Sequence, residues 1–158
     1  MRKHKKVIVR SLIFYFIAAS VFALDQLLKC AIERALPLYK SVPVIKGFFY
    51  ITHIGNKGAA FGIFPGRILP LIVIGAIVSV VIVYFHVKLH KQRTYLQVAL
   101  ALILGGSLGN LYDRIMRSYV VDFIDFRFWP AFNIADIAVN VGIVLVIMRL
   151  IFHEEELE

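Results

Sequence analysis

Long apolar stretches alternate with short polar ones along this chain. Four apolar stretches stand out, at about residues 12–28, 68–85, 95–112 and 131–148. The last three have 18 residues each, and a helix of that length spans about 27 Å, close to the thickness of a bilayer core. The pattern predicts a membrane protein of the all-α class, with a bundle of four transmembrane helices in a single integral membrane domain that covers residues 1–158.

Two polar segments on one side of the predicted bundle are too long to be simple turns. They cover residues 30–67 and 113–130. In the first, residues 30–36 (CAIERAL) predict a short interfacial helix, and Gly47–Ile54 has the β-branched and aromatic content of a strand. We therefore expect a small extracytoplasmic β-sheet on the outer face of the membrane, with the aromatic side chains of Phe48, Phe49 and Tyr50 at headgroup level.

Composition supports a bilayer as the solvent of this chain. Hydrophobic residues make up 60% of it and its mean hydropathy is +0.81, whereas a soluble domain has about 45–50% apolar residues. A net charge of +8 also suits a nucleic-acid-binding protein, but the sequence has no aromatic-basic RNA motif or DNA-binding pattern. The single cysteine, Cys30, excludes an intrachain disulfide, and no zinc-ligand spacing is present.

Lysine and arginine residues predict how the bundle is oriented. Five lie in residues 1–10 and three in residues 87–94, and such dense clusters favour the cytoplasmic side. The totals on the two sides are equal, at nine each, so density alone favours the expectation that both termini are cytoplasmic. An alternative is a secretory signal peptide, because a basic start, a short apolar run and VFA at residues 21–23 have its outline. Cleavage there would leave three crossings.

The carboxylates are concentrated at one membrane face. The chain has ten, and four of them lie in the C-terminal tail at residues 154–158. With four crossings, the other six fall at or near the outer face: Asp25, Glu33, Asp113, Asp122, Asp125 and Asp136. A charge within a crossing costs about 2.5–3.5 kcal/mol even on insertion scales. This concentration of costly groups at one level indicates a functional site.

Two short segments have both a structural and a functional interpretation. Asp25 and Lys29 are spaced i, i+4, which suits a local ion pair, and charges at this depth also suit a role in anchoring another group. The segment GNKGAAFG, which contains Asn56 and Gly58, is either a plain turn or a place where a peptide substrate approaches the backbone closely.

The outer end of the third crossing combines small and polar residues. Gly105 and Gly109 form a G-x-x-x-G pattern, which favours close packing of this helix on a neighbour. Asn110, Asp113 and Arg114 follow on one helical face. That face is either a helix cap or a support that orients other groups.

The clearest chemical signal is a set of aspartates around the fourth crossing. Asn133, Asp136 and Asn140 share one helical face, which we expect to look into the bundle. Because a lone buried aspartate is protonated or paired, Asp136 needs a partner, and Asp122 or Asp125 of the preceding VVDFIDF segment can reach it. Two such carboxylates can share a proton, so that one acts as general base on a water and the other as general acid. This aspartic-protease chemistry requires no cofactor.

Five motifs occur in order along the chain: DQLLK, NKGAAFG, GGSLGNLYDR, VVDFIDF and FNIADIAVNVG. In a chain of this length with four crossings, the set resembles lipoprotein signal peptidase (signal peptidase II), over about Asp25 to Gly142. The resemblance implies an aspartyl endopeptidase of the bacterial inner membrane, with its active site near the outer face. Such enzymes remove the signal peptide of a prolipoprotein just before a cysteine that carries diacylglycerol.

The resemblance also assigns roles to residues and implies partners. The catalytic pair would be Asp122 and Asp136, whereas Asp125 matches a position without a catalytic role. The positions that surround the pair or the substrate are Asp25, Lys29, Asn56, Gly58, Asn110, Asp113, Arg114 and Asn133. The implied partners are a diacylglyceryl-modified prolipoprotein, membrane lipids and globomycin-type peptide inhibitors, with no metal or other cofactor and no nucleic acid. We expect a monomer whose outer sheet forms a cradle over the substrate.

Two other functional classes fit parts of the pattern. In a metal-dependent phosphotransferase, Asp122, Asp125 and Asp136 would hold Mg²⁺, because carboxylates at this spacing can do so. A proton-coupled transporter or an assembly subunit is the second class. A proton path needs ionisable groups through the whole membrane depth, and the inner half of the predicted bundle has no carboxylate.

Overall fold

The computed structural model describes residues 2–58, 66–89 and 94–152, with side chains from Val9 onward. Residues 59–62 of the GNKGAAFG segment and the acidic tail lie outside the described part. The four helices are α1 (Arg2–Ala35), α2 (Ile68–Lys88), α3 (Thr94–Met116) and α4 (Ile134–Phe152). Within the described ranges, all four are long and apolar enough to cross a membrane, which confirms the four predicted crossings.

Helix α3 is the centre of the bundle and packs against the other three helices. In the most apolar 18-residue stretch of α3, half of the residues are buried, whereas 17% are buried in the corresponding stretch of each of the other three helices. Close approach depends on glycine: a Cβ atom built on Gly105 would lie 2.6 Å from the carbonyl oxygen of Ala18 in α1, and one on Gly106 would overlap the carbonyl oxygen of Ala135 in α4. The predicted tight packing of this segment is confirmed.

A three-stranded antiparallel sheet lies where α1 and α3 end and where α4 begins. Its strands are β1 (Ser41–Ile45), β2 (Phe49–Asn56) and β3 (Val120–Asp125), in the order β1-β2-β3. The predicted sheet is therefore confirmed, and β2 covers most of the predicted strand. The sequence analysis predicted no strand in the second outer segment, so β3 is an addition to the predicted sheet. Pairing with β2 over a long sequence separation is what makes VVDFIDF a strand.

Residues 30–36 do not form the separate interfacial helix that we predicted. Residues 30–35 continue α1 without a break. Nothing in Cys-Ala-Ile-Glu-Arg-Ala interrupts a helix, and the first breaker is Pro37, which disfavours the helical conformation at the residue before it. The helix therefore carries Asp25, Lys29 and Glu33 together on one continuous element.

The aromatic residues of the outer segments form a cluster. The ring of Phe126, which follows β3, lies 5.1 Å from that of Phe49 and 5.5 Å from that of Phe48. Tyr50 takes another role, because the guanidinium of Arg127 lies 3.9 Å above its ring. Their position at headgroup level stays a prediction.

Candidate active site

The side chain of Asp122 is buried in β3 and is held by two amides. It is 2% exposed. One carboxylate oxygen accepts a hydrogen bond from Asn56 Nδ2 at 2.8 Å, and the other accepts one from Asn133 Nδ2 at 2.7 Å. Asn56 is in turn oriented by the backbone N–H of Gly58, which donates to its Oδ1 at 2.9 Å. Strand β2, which ends at Asn56, therefore fixes the orientation of a carboxylate on β3.

Asp136 lies in the first turn of α4 and forms a reciprocal cap with Asn133. The backbone N–H of Asp136 donates to Asn133 Oδ1 at 2.9 Å, and the backbone N–H of Asn133 donates to Asp136 Oδ2 at 3.2 Å. This is the geometry of a capping box, which satisfies two N–H groups at a helix start. It also explains why α4 begins at Ile134 and not at Ala131, as the apolar pattern suggested. The second oxygen of Asp136 accepts a bond from Asn110 Nδ2 at 2.8 Å.

Asp122 and Asp136 line the same cavity, which we call the site cavity. Its volume is about 990 Å³, which is enough for a large ligand. Its walls come from the end of β2, from β3 and from the facing sides of α3 and α4. The lining also includes Lys57, Arg114, Trp129, Ile137, Asn140 and Val141. The structure thus brings the two aspartates together in a space that a substrate can enter.

The environment of Asp122 favours its protonated form. Burial, and after it the negative charge of Asp136, raise the pKa of Asp122 from its ordinary 3.8 to about 7, although the hydrogen bonds from Asn56 and Asn133 oppose this rise. Near neutral pH the two carboxylates can therefore share one proton, which is the state that acid–base catalysis by such a pair requires.

A buried ion cluster supports the site from the side of α1. Lys29 is fully buried, and its Nζ lies 2.8 Å from Asp25 Oδ2 and 2.8 Å from Asp113 Oδ2. The same Nζ donates to Asn110 Oδ1 at 3.0 Å. Because Asn110 also holds Asp136, Lys29 fixes the amide orientation that presents an N–H to that carboxylate. The predicted i, i+4 pair is thus part of a larger network.

Asp25 connects α1 to the start of α4. Its Oδ1 accepts a hydrogen bond from the backbone N–H of Ala135 at 2.9 Å. Ala135 lies in the first turn of α4, where N–H groups have no partner inside the helix. A buried carboxylate at a helix N-terminus is also favoured by the helix dipole. Asp25 therefore fixes the position of the helix turn that carries Asp136.

Three more residues belong to this network: Gln26, Glu33 and Arg117. Sequence reasoning gave no role to Gln26 and Arg117, and for Glu33 it gave only a place at the outer face. The guanidinium of Arg117 lies 2.7 Å from Asp113 and 3.1 Å from Glu33, and it donates to Gln26 Oε1 at 3.0 Å. The available signal was the spacing of Arg117, four residues after Asp113, which is the same i, i+4 spacing as that of Asp25 and Lys29. The motif GGSLGNLYDR ends at Arg114, three residues before Arg117.

Asp125 is directed away from the site cavity. It lies three residues after Asp122, and side chains at odd spacing point to opposite faces of a strand. It accepts hydrogen bonds from Thr52 Oγ1 at 2.8 Å and from the backbone N–H of Arg127 at 2.9 Å. Of the two partners that the sequence left open for Asp136, the structure therefore brings Asp122 to the site cavity.

This placement contradicts the magnesium-site hypothesis, which required Asp122, Asp125 and Asp136 to meet. In the described ranges, no three His, Cys, Asp or Glu side chains are grouped closely enough to hold a metal ion.

Arg114 and Asn140 also border the site cavity. Arg114 donates to the backbone oxygen of Asn110 at 3.4 Å and presents the nearest positive charge on α3 to the cavity. Asn140 is exposed, so the prediction that it looks into the bundle is wrong. Its side chain faces the open cavity below Asp136, because α4 forms one wall of that cavity and not a fully enclosed core helix.

Comparison with known proteins decides the family. The family model described as signal peptidase (SPase) II matches residues 17–152, which include every site residue named above. This chain belongs to the signal peptidase II family. It is therefore a peptidase by family, as the resemblance of the five motifs implied.

Relatives in the signal peptidase II family are similar to this chain over nearly their whole length. A lipoprotein signal peptidase from Halothermothrix orenii is 44% identical over 139 residues, which cover 86% of this chain and 93% of the relative. One from Caldanaerobacter subterraneus is 45% identical over 137 residues, which cover 86% and 94%. One from Fusobacterium nucleatum is 38% identical over 149 residues, which cover 92% and 90%.

Two solved structures of bacterial membrane enzymes, obtained by the in meso method, share this fold. One, at 2.3 Å resolution, has a TM-score of 0.82 and 35% identity, and the match covers 92% of this chain and 93% of that one. The other, at 1.9 Å resolution, has a TM-score of 0.80 and 37% identity, with 89% and 93% covered. Together with the four apolar helices, they make this chain a multi-pass membrane protein.

Proposed function

We propose that this peptidase removes the signal peptide from diacylglyceryl-modified prolipoproteins, by means of a water molecule activated between Asp122 and Asp136. The observation that carries the proposal is that these two carboxylates line one cavity and share Asn133 as a hydrogen-bonding partner. The named relatives are lipoprotein signal peptidases, which supports the same substrate class here. Cleavage falls just before the lipid-modified cysteine.

The chemistry follows from one proton on the pair. The ionised carboxylate takes a proton from water as the water oxygen adds to the scissile carbonyl carbon, and the protonated carboxyl donates its proton to the carbonyl oxygen. When the C–N bond breaks, the pair gives its proton to the amine nitrogen. One hydroxyl of the tetrahedral intermediate gives its proton back to the pair as the C=O bond re-forms, so the pair again holds one proton. The raised pKa of Asp122 makes it the carrier of the shared proton at rest.

The cavity suits a substrate that arrives from the bilayer. Its walls combine the sheet, which provides polar groups, with the apolar residues Ile137 and Val141 of a membrane-spanning helix. The peptide bond can then reach the carboxylates while acyl chains stay in lipid. We propose that the site lies at the outer face of the inner membrane, that both termini are cytoplasmic, that the enzyme acts as a monomer and that globomycin-type peptides occupy the same cavity.

A cleavage assay with matched substrates tests this function. Purified protein in detergent, with EDTA present, is incubated with one prolipoprotein in two forms, with and without diacylglyceryl on the lipobox cysteine. We expect cleavage of the modified form only, with a new N-terminus at that cysteine. If EDTA abolishes cleavage, the metal-independent mechanism is wrong. If the unmodified form is cut equally well, lipid is not part of the recognised substrate.

A further inference from the structure

Asn140 is a polar residue in an otherwise apolar part of α4. Between Asp136 in the first turn and Arg149 near the end, it is the only residue of the helix with a polar side chain. It is exposed and lines the site cavity. An amide at membrane depth that has no partner costs free energy, because hydrocarbon offers no hydrogen bonds. The position therefore calls for a ligand with matching polar atoms.

The local contacts of Asn140 use only part of its hydrogen-bonding capacity. Its Nδ2 donates to the backbone oxygen of Asp136 at 2.9 Å. An amide has a second N–H and a carbonyl oxygen, and on the described residues neither has a partner within the protein. Asn140 is one helical turn, about 6 Å, from Asp136 toward the middle of the membrane. Those free groups therefore face the part of the cavity just inside the level of the two carboxylates.

We propose that Asn140 is a substrate-binding residue that donates a hydrogen bond to a carbonyl oxygen of the lipopeptide, on the membrane-inward side of the cleaved bond. This inference rests on the proposed function. Two parts of such a substrate carry the required oxygen: the peptide segment that precedes the cleaved bond and the ester groups of the diacylglyceryl moiety. Ile137 and Val141 also line the cavity beside Asn140. Asn140 therefore provides a polar contact on an otherwise apolar part of the cavity wall.

Two substitutions separate substrate binding from a purely local role. Asn140→Leu removes both the bond to Asp136 and the contact with substrate. Asn140→Ser keeps a hydroxyl that can bond the carbonyl four residues earlier, as Ser79 does to Gly75 at 2.8 Å in α2, but it is too short to reach a substrate. If Asn140 served only the helix, the serine variant would behave as the wild type.

The measurement is steady-state cleavage of the diacylglyceryl-modified prolipoprotein, with thermal unfolding of each variant alongside. We expect both variants to raise KM about tenfold, the equivalent of one hydrogen bond, with kcat and the unfolding temperature of the serine variant close to those of the wild type. A contact that is equal in ground and transition states changes KM alone. Asn140→Gln, which keeps the amide, should recover part of the affinity.

A dialkyl-ether form of the same lipopeptide, which lacks the ester carbonyls, distinguishes the two sources. If Asn140 binds an ester carbonyl, the wild type has a raised KM for the ether form, and the variants have the same KM as the wild type on it. If the peptide is bound, the serine variant keeps its tenfold defect. An unchanged KM of the serine variant on both substrates would overturn the inference, whereas a wild type that cleaves neither substrate would instead refute the proposed function.

Discussion

Asn133 fixes the two candidate catalytic residues relative to each other. Its side-chain nitrogen donates to Asp122, while its backbone N–H and side-chain oxygen form the reciprocal cap with Asp136. One residue thus joins a strand and a helix that are separated in the sequence. Because Asn133 is fully buried, water cannot replace these bonds readily, and the separation of the carboxylates is set by the covalent frame of a single residue.

The raised pKa of Asp122 predicts an alkaline limit of activity. The folded protein holds the proton of Asp122 up to about pH 7, so the singly protonated pair is lost as the pH rises through that value. We expect kcat/KM to fall about tenfold for each pH unit above it. In Asn56→Ala, which removes a hydrogen bond that lowers this pKa, the limit should move to higher pH. A rate that does not change between pH 6 and 9 would contradict the assignment.

Lys29 predicts a large effect on stability. Its substitution by Met removes the cation that pairs with buried Asp25, and leaves Asp113, buried beside it, with Arg117 as its cation. Removing one partner of a buried ion pair costs about 3–5 kcal/mol of unfolding free energy, so Lys29→Met should unfold well below the wild type in detergent. Lys46→Met is the control, because Lys46 is exposed in the turn after β1. Equal unfolding of the two variants would show that the buried cluster is not a structural centre.

At the scale of elements, the helices were predictable from the sequence and the pairing of the sheet was not. Hydropathy identifies a crossing because each helix satisfies its own backbone hydrogen bonds. A strand needs a neighbour, and β3 pairs with β2 across a separation that no local pattern encodes. An extra residue of β2 between Ile51 and Ile54 also shifts the register. The candidate residues were found through their motifs. Arg117 and Gln26 lie outside those assignments because most of their partners are on other elements: Arg117 binds Glu33 and Gln26, and Gln26 also binds Asp113.

Close packing of α3 on α1 predicts a steric effect at Gly109. A Cβ atom there would lie 2.6 Å from Asp25 Oδ2, so Gly109→Ala must displace the carboxylate that holds the start of α4. Overpacking of this kind costs about 1–3 kcal/mol. We expect a lower unfolding temperature and slower cleavage.

Gly75 in α2 provides the matched control for Gly109. A Cβ there would make an ordinary contact with Leu111 at 3.4 Å, and alanine favours a helix over glycine. Gly75→Ala should therefore be as stable as the wild type or more so. If Gly75→Ala lost stability and Gly109→Ala did not, the predicted steric effect at Gly109 would be contradicted.

At the scale of the whole molecule, four crossings put both termini on the same side. The sheet and all six carboxylates outside the tail lie at the opposite end of the bundle from the basic N-terminus. Alkaline phosphatase is active only outside the cytoplasm, where its disulfides form. If the sheet is extracytoplasmic, alkaline phosphatase inserted after Lys46 should be active. If the C-terminus is cytoplasmic, alkaline phosphatase fused after Glu158 should be inactive. The reverse pattern would place the site on the cytoplasmic side.

The central claim is that Asp122 and Asp136, and not Asp125, carry out peptide cleavage. The most direct test is the single-turnover cleavage rate of Asp122→Asn, Asp136→Asn and Asp125→Asn on the diacylglyceryl-modified prolipoprotein, each shown to be folded by thermal unfolding. Loss of an acid–base group lowers a rate about 10²–10⁴-fold, so the first two variants should lose at least that much, while Asp125→Asn keeps the wild-type rate. Near-normal cleavage by either of the first two would contradict the account.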